Sequence, residues 1–167
     1  KSGQDDLYAP DEGRHYVYNV EFILNNHRLP ISGKDDLSAY KDCTNREFGL
    51  VPCTYSYTVY PPPSYVVSAA SASIFSKAFS FSKEKAARLP STLYGLIFVW
   101  SIYLTSYLIS KRRLIATYIT AGITFIPQFI FTMSYTNLDA HSIAISGLMT
   151  LAIVKFVLQP KSNFNKA

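Results

Sequence analysis

The chain is poor in charge, in cysteine and in phosphate-binding glycine motifs, and each shortage excludes something. Only 16% of its 167 residues are Asp, Glu, Lys or Arg, against about a quarter in ordinary soluble domains. Its two cysteines, Cys43 and Cys53, lack the C-x-x-C spacing of a zinc or redox site. They are a candidate disulfide closing a short loop, worth about 2–3 kcal/mol in the chain-entropy picture; two free thiols are the alternative, and an oxidising compartment would be needed for the bridge. No Gly-rich phosphate loop occurs. Basic residues are not interleaved with aromatic ones, which excludes nucleic acid as the expected partner. The chain starts at Lys1 without an initiator Met or a charged-then-apolar leader, so it reads as an internal fragment. Such a fragment, with only three apolar stretches, is expected to be inactive alone.

What is present points to a membrane. Hydrophobic residues make up 49% of the chain, with 13 Tyr and 11 Phe. Residues 1–60 carry nine Asp/Glu against six Lys/Arg, whereas residues 61–167 carry two against ten. The basic charges therefore flank apolar segments. Residues 93–109 form an uncharged run stopped by Lys111-Arg112-Arg113. A second run covers 114–134 with Pro127 inside it, where a kink is predicted. A third covers 140–158 and carries Lys155 near its end, where a lysine can snorkel. Each approaches the roughly 20 residues a bilayer demands. Ser64 to Ser82 mixes alanine and serine, gains little on insertion, and reads better as an interfacial helix than as a span. The predicted fold is an all-α membrane protein: a polar region with juxtamembrane amphipathic helices over 1–90, then three transmembrane helices over 91–167 with a short polar tail.

The polar front holds the candidate chemistry. Pro10-Asp11 followed by Tyr16, Val20, Ile23 and Leu24 predicts an N-capped amphipathic helix reaching about Asn26, ended by Arg28-Leu29-Pro30. Asp11 and His15 then stand one turn apart. Asp11 is either a helix cap, with Glu12 compensating the helix dipole, or part of an acid/base or metal site with Glu12, His15 and Asp139. Asp139, at a membrane boundary, likewise reads as a cap or as a site residue. Asp5, Asp6, Asp35 and Asp36 read as solvated loop, and Thr54 to Tyr60 alternates like a short strand.

The motifs Pro10-Asp11-Glu12-Gly13-Arg14-His15-Tyr16, Arg28-Leu29-Pro30, Tyr60-Pro61-Pro62-Pro63-Ser64-Tyr65, Arg88-Leu89-Pro90-Ser91, Pro127-Gln128-Phe129 and Asn137-Leu138-Asp139 resemble, in order, the N-terminal part of one family. It is that of the multi-pass GT-C glycosyltransferases related to dolichyl-phosphate-mannose-protein mannosyltransferases and bacterial lipid A aminoarabinose transferases. Tyr60 departs from the His or Lys that many relatives carry before the proline pair, and Pro63 from their leucine.

The resemblance implies an enzyme of the plasma (inner) membrane that inverts a sugar from a polyprenyl-phosphate donor onto a lipid, glycan or protein acceptor on the extracytoplasmic face. It implies a first extracytoplasmic loop carrying Asp11 and Glu12, with Ser64 to Ser82 on the outer leaflet. Asp11 would be the catalytic base. Glu12 or His15 would position the acceptor or hold a divalent metal, the one candidate cofactor, and Asn137 and Asp139 would complete the cavity. Arg88 is a candidate for the donor phosphate, since a guanidinium fork matches its oxygens; interfacial anchoring is the alternative. A non-catalytic multi-pass protein, a transporter subunit or assembly factor with a partner-binding outer loop, is the competing reading.

Overall fold

The structure, a computed structural model, describes Ala9, residues 11–31, Asp35 and residues 63–158. Cys43, Cys53, Asp5, Asp6, Asp36, the alternating stretch over 54–60 and the polar tail lie outside the described residues. Among the described residues all regular structure is helical, as expected for an all-α chain. α1 (Glu12–His15) runs through a π-helical stretch (Tyr16–Glu21) into α2 (Phe22–Asn26); α3 (Pro63–Phe79), α4 (Lys83–Ser110), α5 (Arg113–Thr124), α6 (Pro127–Thr132) and α7 (Asp139–Leu158) follow. The chain divides into two compact units, Lys1–Pro90 with Tyr135–Leu138, and Ser91–Ser134 with Asp139–Ala167.

In the first unit the predicted amphipathic face is the buried one. Tyr16 and Val20 join Tyr65, Ala69, Ala72 and Ala87 in one apolar cluster, with Ile23 and Leu24 packed against it. Alanines on α3 and α4 let the aromatic and branched side chains of the first helix close onto them. Burial of a side chain such as Val20 contributes about 1.5–3 kcal/mol. The helix ends at His27, which adopts a left-handed conformation (φ 52°) and donates its N–H to Ile23 O at 2.9 Å.

Just beyond it, Arg28 makes paired bonds to Asp35 at 2.7 Å each, and Asp35 also accepts the Ile31 N–H at 2.7 Å. Asp35 is thus not a solvated loop acid. Its carboxylate is 10% exposed and closes the turn after α2, and the paired contact raises the Arg28 pKa further above its ordinary value.

Pro90 lies inside α4. A proline has no N–H for the carbonyl four residues back, which orphans Ala86 O. The buried Ser71 hydroxyl on α3 donates to that oxygen at 2.6 Å, so the defect in one helix is satisfied from its neighbour.

The second unit is built the other way round from a soluble core. Its buried positions are mostly small or hydroxylated, among them Ser101, Thr105, Ala116, Thr120, Ala144 and Gly147. Leu96, Trp100, Leu114, Tyr118, Ile153 and Phe156 are exposed. Hydroxyls return to their own helices, as Ser101 does to Ile97 O and Thr105 to Ser101 O, both at 2.8 Å. α4 and α7 approach closely at Gly147, where an added Cβ would stand 2.8 Å from Phe98 Cδ2. Both helices are long and apolar enough to cross a membrane.

The run over 114–134 is not the single kinked helix expected. A residue before proline is pushed to extended backbone, and Ile126 takes φ −65°, ψ 121°, so a new helix starts with Pro127 in its first turn. Two shorter helices, α5 and α6, replace one span.

Candidate functional site: a carboxylate, an imidazole and a buried ion pair

The first helical turn presents its two acids in opposite ways. The Asp11 carbonyl accepts the Arg14 and His15 N–H groups at 3.0 and 3.2 Å, but its side chain makes no capping hydrogen bond. Its carboxylate instead stands 3.5 Å from His15 Nε2, and the Asp11 side chain is 42% exposed against 9% for His15. The other ring nitrogen, Nδ1, lies 2.6 Å from the Tyr65 hydroxyl at the start of α3. Tyr65 is 1% exposed. The two rings also stack, with centroids 5.8 Å apart. Asp11, His15 and Tyr65 thus form a line from solvent into the core.

Glu12 turns inward and is fully buried. Arg88 donates from Nε to Oε1 at 2.7 Å and from Nη2 to Oε2 at 2.9 Å, and the Thr136 N–H adds a bond to Oε1 at 3.0 Å. A buried carboxylate is tolerable only when its charge is matched and its oxygens have donors. Both conditions are met here. The expectations that Glu12 positions an acceptor or binds a metal, and that Arg88 takes a phosphate, meet a pair that already neutralises itself.

Among the described residues no three or more His, Cys, Asp and Glu side chains group as a metal site. His15 is engaged by Tyr65 and Glu12 by Arg88, so these residues do not fit the divalent metal of the sequence reading.

The remaining expected residues fall in different units. Asn137 is buried in the first unit and donates from Nδ2 to Tyr135 O at 2.9 Å, shaping the turn that offers the Thr136 amide to Glu12. Asp139 is exposed in the first turn of α7, in the second unit. His141 packs edge-on against Tyr94, with centroids 5.2 Å apart. Behind the site, the Tyr16 pKa is raised by burial first and then by the charges of Glu84 and Glu21.

Sequence reasoning missed Tyr65, Thr136 and Ser71. Tyr65 lay in the proline-rich motif without a role, and a hydroxyl beside an imidazole 50 residues away leaves no local signal. For Arg88 there was one: a lone guanidinium in an increasingly apolar stretch needs an anion, and Glu12 was a candidate as much as a phosphate was.

Comparison of the chain with protein-family models, with curated proteins and with solved structures finds no match.

Proposed function

We propose that the protein is an integral membrane glycosyltransferase that moves a sugar from a polyprenyl-phosphate donor to an acceptor on the extracytoplasmic face, with Asp11 as the base. The observation that carries this reading is the placement of Asp11: a carboxylate at a helix start that leaves the cap unmade, keeps 42% of its side chain exposed and is backed by an imidazole. A general base needs an accessible lone pair held in a fixed direction, and this arrangement supplies both. Asp11 removes the proton of the acceptor hydroxyl as that oxygen attacks the sugar, and the lipid phosphate leaves. The Glu12–Arg88 pair anchors the turn that carries Asp11. Membrane embedding is supported by two helices able to span and by a second unit whose large apolar side chains face outward.

The test compares Asp11→Asn with Asp11→Ala in the whole protein. Because the side chain makes no cap bond, both variants are expected to keep the parent's thermal midpoint. Transfer from polyprenyl-phosphate mannose should fall about 10²–10⁴-fold in each, the usual share of a general base. Unchanged transfer in either variant overturns the base and favours the non-catalytic reading.

A further inference from the structure

We propose that Tyr65 and His15 are positioning residues for Asp11: the buried Tyr65 O–H donates to His15 Nδ1, which keeps a proton on Nε2 facing the Asp11 carboxylate. The inference rests on the reading of Asp11 as the base.

An ionised carboxylate only accepts hydrogen bonds. The ring nitrogen 3.5 Å from it, Nε2, is therefore the one that carries hydrogen, since a lone pair there would face a negative charge. In a neutral imidazole Nδ1 is then the acceptor. The group 2.6 Å away is a phenol, which has the O–H to give. For the neutral ring, the proposed direction of both contacts follows from the chemistry of the three side chains.

The geometry is also held. Tyr65 is 1% exposed and belongs to the apolar cluster with Tyr16, Val20, Ala69 and Ala72, so its hydroxyl is fixed by packing of α3 against the first helix. His15 is at the last position of α1 and shielded from water. A hydrogen bond at such a site is stronger than one in water. Secondary contacts of this kind fix ring tautomer and orientation, as they do for the histidines of metal and acyl-transfer sites. Here the N–H faces one carboxylate oxygen, Oδ2, at 3.5 Å and leaves the other oxygen to the acceptor hydroxyl.

The tautomer can be read directly. In ¹⁵N-histidine NMR of the whole protein in detergent micelles, the His15 ring signals are assigned by their loss in His15→Gln and kept apart from those of His27 and His141 with His27→Gln and His141→Gln. Above the imidazole titration range His15 is expected as the Nε2–H form. Tyr65→Phe, which keeps the ring and removes the hydroxyl, should shift its Nδ1 resonance. With polyprenyl-phosphate mannose as donor probe, Tyr65→Phe should lower kcat about fivefold with KM unchanged, about the worth of one neutral hydrogen bond. His15→Gln, whose carboxamide can both donate to Asp11 and accept from Tyr65, should keep more activity than His15→Leu at equal thermal stability. An Nδ1–H form in the parent, or a His15 signal unmoved by Tyr65→Phe, overturns the proposal. Either result alongside an inactive Asp11→Asn removes the positioning role and leaves the base standing. Full transfer by Asp11→Asn removes both.

Discussion

Two neighbouring acids, Asp11 and Glu12, look alike as residues and have opposite fates in the fold. Adjacent positions on a helix point about 100° apart, so one faces solvent while the other enters the core. Glu12 is fully buried and its partner Arg88 is 17% exposed. Removing one member of such a pair strands the other, typically at a cost of 3–5 kcal/mol. For Glu12→Gln about 3 kcal/mol is expected, near the low end because Arg88 keeps some water, and it is read as a fall in thermal midpoint. Adding Arg88→Met should restore more than half of it. If Glu12→Gln is silent in stability but abolishes transfer, the carboxylate belongs to the chemistry and not to the fold.

Among the elements, the amphipathic helix over 11–26 was legible because Tyr16, Val20, Ile23 and Leu24 recur at helical spacing. Its π-helical middle was not, since widening a turn leaves no residue-type signature. Prolines show the same division. Pro90 is carried inside α4 with Ser71 satisfying the freed carbonyl, whereas Pro127 ends one helix and starts another.

Ser71→Ala should cost about 1–3 kcal/mol, the penalty for an unsatisfied buried carbonyl. In a Pro90→Ala background, where an N–H returns to Ala86 O, that cost should largely vanish. Additive effects in this double-mutant cycle would mean the two sites are not coupled. Glycines on the helices of the second unit differ as well. Gly122 has nothing within 4 Å of an added Cβ, while at Gly147 the Cβ would meet Phe98 at 2.8 Å. Gly122→Ala should stabilise by up to about 1 kcal/mol through helix propensity, and Gly147→Ala should lower the thermal midpoint by pushing α7 off α4.

For the molecule as a whole, the length of α4 makes a topological statement testable. Its 28 residues reach about 42 Å, more than the roughly 30 Å of a bilayer core, so on the proposed membrane embedding its two ends belong on opposite sides. Cysteines replacing Ser82 and Ser110 are expected to differ in intact cells, the first reacting with an impermeant maleimide and the second only after permeabilisation. Equal labelling would rule out α4 as a span. The run over 114–134, with enough apolar residues to cross, is interrupted at Phe125–Ile126. Hydropathy counts residues and takes no account of the backbone that proline forbids, which is why three apolar runs gave two spanning candidates.

The sequence by itself determined the helical class, the amphipathic face of the first helix, the i,i+4 pairing of Asp11 with His15 and the apolar character of α4 and α7. All of these depend on neighbours within a turn or on composition, and both are written locally. Only the tertiary structure decided that Glu12 is neutralised by Arg88, 76 residues away, and accepts the Thr136 amide N–H, 124 residues away. It also decided that Tyr65 meets His15 and that Ser71 serves the carbonyl freed by Pro90. Those contacts follow from how buried polar groups find partners once helices pack, a requirement that each residue states but that only the folded chain can meet.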